Sequence, residues 1–558
     1  MRQRSVEMAT LVVKRSIMHR YQRIEDAIRD AEPGDFIEIR DGIYEESFEI
    51  SKRLTLYGVG NVTIKGGVFI RYNTHANMRN LRFTQGQGIY VKGDLQLENC
   101  VIEQQLVQTQ VTVSFGSLMM KNVDILASPV NHYGLQIDNG SSVILVDTTI
   151  QHHTKAQIMV QNSEIALTNC MLLEGQTNGI FAIRNVKIDI VDCEIHGHQQ
   201  TQIVAAASTM TMTNTLIHQG QDLGIQLLDQ STLTMDGCEI KRHLDTNLVV
   251  HSSEVWLTDS IFSDGLGHGI YIAEQSNAKL YDCKVHGHYK SQLIIENSKA
   301  EIRKCSVMKG QTTGVTIVNE ANVSMSECMI QDHQQFHFIV DASYLKLSQS
   351  VLQSGQAGGI FGNDHAKIML HHTTIRELEG HHLYINNARL FADKCTFDAI
   401  IGHAITCIKT IFEIANSAFK NNGKQSPYAL IWSDKSMGRI KHCSIDEMDR
   451  AFLALSNQSM LEMENIDLTA VKIPAIVQEK SQLFINGTTG GTMWKSDATS
   501  KIIAFSANVN NQMKQMVDQI NQAESINLHS LNEKLQIPID VLQQVTSILQ
   551  KNNIKKTM

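Results

Sequence analysis

The chain has 558 residues, 42% of them hydrophobic and 19% charged, so it is long and apolar enough to bury a large core. Its net charge of −8 excludes the basic character of a nucleic-acid binder, and no nucleic-acid partner is expected. No uninterrupted apolar run is long enough for a bilayer span, so no membrane span is predicted.

The opening, MRQRSVEMATLVVKRS, has basic residues but no apolar stretch of leader length, which predicts a cytoplasmic protein. A helix is predicted over Tyr21–Ala31, ended by Pro33-Gly34 and followed by a strand. As an amphipathic segment it would cap an open sheet end.

From Cys100 onward one phrase recurs: an alternating apolar stretch, a polar pair, then Cys, Ser or Thr and an apolar residue. Cys100, Cys170, Cys193, Thr215, Cys238, Ser260, Cys283 and Cys305 belong to this series, whose usual step is 22 or 23 residues. That period, with alternation inside it, predicts a parallel β-solenoid whose coil holds three short strands, for example Leu233–Met235, Cys238–Ile240 and Leu248–Val250. Asn or Asp precedes the Cys-like residue at Asn99, Asn169, Asp192, Asn214, Asp259, Asp282 and Asn416, and suits a sharp turn with left-handed backbone. The ten cysteines then read as reduced, buried thiols. The coil length fits a single-stranded right-handed parallel β-helix, all-β in class. About 20 coils at roughly 4.8 Å each give a rod on the order of 95 Å.

The steps alternate, so the true unit is 45 residues. One coil type carries G-x-x-x-G, as at Gly175/Gly179, Gly220/Gly224, Gly265/Gly269, Gly310/Gly314 and Gly355/Gly359. The other carries His with an amide or His four residues on: His153/Gln157, His198/Gln202, His243/Asn247, His288/Gln292 and His333/His337. The division predicted is residues 1–60 for the N-terminal cap and first coils, 61–490 for the β-helix, and 491–558 for a helical C-terminal region with helices at 506–523 and 538–551.

The phrase Y-x-x-I-x-x-A-I from Tyr21 to Ile28, then G-D-x-I-x-I-x-x-G-x-Y-x-E from Gly34 to Glu46, then I-x-K-x-L-T-L-x-G from Ile50 to Gly58, resembles the start of right-handed parallel β-helix proteins of the pectin-lyase-like superfamily. It is most similar to the NosD-like or CASH-type branch, found in carbohydrate-binding and sugar-hydrolase proteins. The resemblance implies fold more than activity, since that fold hosts lyases, hydrolases, esterases and binders.

Two fragments match polygalacturonase-like elements, Gly267-His268-Gly269 and Arg439-Ile440-Lys441, but too many coils separate them for one site. Asp222 and Asp245 are the nearest approach to a catalytic acid pair. His196-Gly197-His198 and His286-Gly287-His288 resemble half a metal site, yet the first His does not persist in the repeat, and neither a metal nor another cofactor is predicted. The third strand presents apolar residues on its outward side: Met159, Phe181, Val204, Leu228, Val249, Tyr271, Ile294, Val318, Ile339, Phe361 and Tyr384. Gln157, Gln202, Asn247 and Gln292 are predicted to border this stripe. An exposed apolar face of that extent reads as an interface. The function expected is therefore a non-enzymatic binding or scaffold protein with a protein partner or a second copy of itself. Polysaccharide binding or cleavage is the alternative.

Overall fold

The computed structural model describes residues 8–127, 133–421 and 427–504. The helices predicted at 506–523 and 538–551 lie outside them. The chain forms two compact units, Met1–Lys279 and Leu280–Met558. Each is a parallel β-helix in which every strand pairs with its equivalent one coil away. No helix among the described residues is long and apolar enough to cross a membrane.

Among the described residues the one α-helix is Ile24–Asp30, shorter than predicted. It buries Ile24, Ala27 and Ile28 against the first strands. The opening phrase holds this cap in place. The Glu46 carboxylate accepts from the free helix-start amides of Ile24 and Glu25 at 2.9 and 3.1 Å. Asp35 accepts from the Ala9 and Glu32 amides, both at 2.8 Å.

The predicted coil appears as strands Thr232–Asp236, Glu239–Lys241 and Leu248–His251. Cys238 falls in the turn before the second strand. The residue preceding each Cys-like position has left-handed backbone, with φ of 53° at Asn99, 54° at Asp192 and 49° at Asn214. Lys304, Glu327 and His372 take the same conformation at the same place.

The small residue after the turn is chosen for its acceptor atom. The Cys170 amide donates to Cys193 Sγ at 3.3 Å, Cys193 to Thr215 Oγ1 at 3.4 Å and Cys238 to Ser260 Oγ at 3.2 Å. All ten cysteines are free and buried. Each such bond is worth about 1 kcal/mol net. By contrast, burying one Ile or Leu contributes about 1.5–3 kcal/mol. The fully buried column Ile158, Ile180, Ile203, Ile225, Leu248 and Ile270 therefore holds the first unit together more than the turn ladder does.

The 45-residue alternation is an exchange of volume. His153, His198, His243, His288 and His333 sit between the second and third strands with their side chains buried inside the coil. A Cβ on Gly175 would stand 2.7 Å from His198 Cδ2, and one on Gly179 would stand 3.0 Å from His198 Cε1. Gly220 and Gly224 make the same room for His243, as Gly310 and Gly314 do for His333. His198, His243 and His333 thus each fill space that a glycine pair in the preceding coil leaves empty. In the second unit parallel pairing continues past Gly491, where strand Lys501–Ala504 joins Gln482–Asn486.

Candidate functional site

Alternation along the third strand sends every second side chain outward, and pairing between coils lines these up. In the first unit the outward column runs through Phe69, Tyr90, Thr112, Gln136, Met159, Phe181, Val204, Gln226, Val249 and Tyr271. In the second it runs through Ile294, Thr316, Ile339, Phe361, Tyr384, Thr406 and Trp432. Leu228 and Val318 point outward too, but in a neighbouring column two residues further along their strands. The continuous apolar stripe therefore breaks up, because Gln226 and Thr316 occupy the places assigned to Leu228 and Val318. Val204 and Val249 are buried, and the other nine predicted face residues are half-buried.

The amides do not border the stripe. Gln157, Gln202, Asn247 and Gln292 are wholly buried and border no surface. Two consecutive residues point inward where the chain bends into the third strand, as Gln202 and Ile203 do, so alternation cannot be extended back across the bend. Inside, the amides brace the turn. Gln292 Oε1 lies 2.8 Å from His288 Nδ1, and Asn247 Oδ1 lies 3.0 Å from His243 Nδ1. Gln202 donates to the His218 carbonyl at 2.9 Å.

A ring cluster forms on the second unit's third-strand face. Phe336 and Phe361 lie 5.6 Å apart, and Phe361 stacks on Tyr384 at 5.6 Å with planes 17° apart. His381 stacks on His403 at 5.4 Å, and His403 stacks on Trp432 at 5.7 Å. Tyr428, 54% exposed, meets His403 at 5.1 Å. The centroid spacings of the stacked pairs exceed the strand repeat of about 4.8 Å, so those rings are slipped past one another, and Phe361, Tyr384 and Trp432 stay half-buried. Burial lowers the pKa of both His381 and His403, which favours their neutral forms. Beside the rings runs a polar ladder: Asn363 donates to Asp341 at 3.3 Å and Asn386 donates to Asn363 at 2.9 Å. Of this cluster only Phe361 and Tyr384 are singled out in the sequence.

The other sequence candidates separate. Arg439 is fully buried, with Nε 2.9 Å from Glu462, and Lys441 pairs with Glu413 at 2.6 Å, so the charges of this fragment are taken up in ion pairs. Asp222 accepts from Thr201 at 3.0 Å, and Asp245 accepts from Thr246 at 3.1 Å. In the first HGH, Gly197 has φ of 76°, His198 turns into the core and His196 stays half-buried outside, so the pair cannot share an ion. His196 instead pairs with His218 of the next coil, their rings 4.7 Å apart, beside Glu194. Ligand atoms of Glu194, His196 and His218 all lie within 4.8 Å of one another, a grouping the sequence does not reveal.

No curated protein matches the sequence. Among solved structures, the periplasmic alginate epimerase AlgG is similar at 11% identity, with 59% of this chain and 82% of that chain covered and a TM-score of 0.32. The PL6 family alginate lyase AlyGC is similar at 9% identity, covering 89% of this chain and 99% of that one, TM-score 0.27. Pectin methylesterase from Aspergillus niger is similar at 14% identity, covering 51% and 86%, TM-score 0.24. Those structures are of polysaccharide-directed enzymes, and a likeness of this degree shows the fold alone. The expectations of a non-enzymatic scaffold and of a protein partner or self-association are withdrawn on the geometry of the face itself. The physical basis of that reading was a continuous apolar stripe edged by amides, and neither part exists. The cytoplasmic expectation is withdrawn as well, because it rested on the opening residues alone. The model of the right-handed β-helix region matches residues 66–215, 158–307, 203–351 and 293–468, together spanning 66–468 and so more than half of the 558 residues. The chain belongs to the right-handed β-helix family.

Proposed function

We propose that the chain binds a neutral polysaccharide along the third-strand face of its second unit, as a member of the NosD-like or CASH-type branch whose opening phrase it shares. The observation that carries this reading is the slipped ring cluster Phe336, Phe361, Tyr384, His403 and Trp432 beside the ladder Asp341–Asn363–Asn386. A sugar ring has an apolar C–H face and a polar rim. It packs the first on an aromatic ring and gives the second to amides and carboxylates. The outward columns from Ile294 to Trp432 and from Glu296 to Asp434 contain no Lys or Arg, which disfavours an anionic polymer. Should a bound chain also be cleaved, His381 and His403 are the neutral bases on this face.

Affinity electrophoresis of the full chain through gels holding single neutral or acidic polysaccharides tests this. At least one neutral polymer should retard the wild type. Trp432→Ala and Tyr384→Ala should each weaken that retardation roughly tenfold, which is about 1.4 kcal/mol. Equal migration of wild type and both variants in every neutral gel would sink the reading. Depolymerisation of the retarding polymer, followed as new reducing ends, then separates binding from turnover.

A further inference from the structure

The two HGH copies differ in what the next coil sets beside them. His196 is in register with His218, whereas His286, ninety residues on, is in register with Met308. Only the first copy therefore gains a second imidazole. His218 Nε2 lies 3.0 Å from Glu194 Oε1, and His196 Nε2 lies 3.9 Å from the same oxygen. Both nitrogens thus converge on one carboxylate. We propose that Glu194, His196 and His218 form a site for one divalent transition-metal ion of the zinc class.

Zinc bonds to His nitrogen and carboxylate oxygen at about 2.0–2.2 Å, so tetrahedral ligand atoms sit about 3.3 Å from each other. The separations here bracket that value. Small side-chain rotations close the larger one while the strands Glu194–His196 and Leu216–His218 stay in register. Two imidazoles and one carboxylate suit zinc and its first-row neighbours better than calcium or magnesium, which prefer all-oxygen shells. The Glu194 side chain is 41% exposed and the His196 side chain 22%, so the ion has a route in and a position left for water. Glu174, in the preceding coil, is a nearby charge able to serve as an outer partner.

The test is titration of the untagged full-length chain with Zn²⁺ by calorimetry, and with Co²⁺ by its visible absorption. The wild type should take up one ion per chain, and Zn²⁺ should raise its melting temperature. His196→Ala, His218→Ala and Glu194→Gln should each weaken binding at least tenfold and abolish the melting shift, with far-UV circular dichroism unchanged. His286→Ala should bind as the wild type does. Absence of saturable binding in the wild type overturns the proposal. So does undiminished binding in the folded His196→Ala, His218→Ala double variant.

Discussion

Lowering the pH from 7 to 5 should strip several kcal/mol of folding stability from each unit, while most carboxylates are still ionised. The cause is the buried histidines. Burial pushes His153 down to about 3 and His198 to about 4 in the first unit. In the second it pushes His333 to about 4, and His337 and His382 to about 3. An unfolded chain holds these groups near 6.5. Above 6.5 both states are neutral and the stability is intact. Below it the unfolded chain takes up protons that the folded chain refuses, so stability is lost progressively until pH reaches the folded values near 3–4. At pH 5 the loss depends only on the unfolded pKa, since all five folded values lie lower. It comes to about 2 kcal/mol per histidine, roughly 4 kcal/mol in the first unit and 6 kcal/mol in the second. Urea midpoints at the two pH values measure it. His382 gives an internal check, because neither of its ring nitrogens has a hydrogen-bond partner and Phe397 lies 6.3 Å away. His382→Phe should be neutral or stabilising at pH 7 and should remove about 2 kcal/mol of the acid loss. An unchanged pH 7-to-5 difference in that variant would rule out the linkage.

How much of this can be read from the chain depends on which neighbours the reading needs. The coil is legible because each turn repeats a chemical demand: a left-handed residue, then a small acceptor. Even so, Lys304, Glu327 and His372 sit at that left-handed position without any preference to mark them. Inward and outward sides within a strand are legible too, since Ile203, Ala205, Leu293 and Ile295 all face the core as alternation demands. The bend before the strand is not, and it carries Gln202 and Gln292 inside. Contacts between coils are hardest. His196 meets His218 through a 22-residue step that cuts across the 45-residue repeat. Trp432 reaches the ring cluster through a 26-residue step, Thr406 to Trp432, where a longer turn breaks the period. Both proposed sites lie where the repeat is irregular, and a periodic reading is weakest there.

The exchange of volume between coils yields the second large effect. Gly224→Ala should destabilise the first unit by about 3 kcal/mol. The new Cβ would lie 2.4 Å from the Asn247 carbonyl oxygen, which accepts the Ile225 amide at 2.9 Å, so backbone must move and a ladder bond lengthens. Gly220→Ala meets only side chains, His243 Cδ2 at 2.7 Å and Gln202 Nε2 at 2.9 Å. Its cost should be about 2 kcal/mol and should depend on the imidazole. In a His243→Ala background, itself destabilised by the cavity left behind, Gly220→Ala should cost about 1–2 kcal/mol less, because the methyl enters vacated space. Gly224→Ala should show less relief, since its nearest obstacle is a carbonyl that His243→Ala leaves in place, with His243 Cε1 further off at 3.1 Å. Gly140→Asn is the control: φ is 75°, nothing lies within 4 Å of an added Cβ, and Asn tolerates that backbone, so stability should hardly change. Urea denaturation of the four single variants and two doubles decides the matter. Absence of any coupling between His243→Ala and Gly220→Ala would show that the 45-residue period does not arise from histidine and glycine sharing one volume.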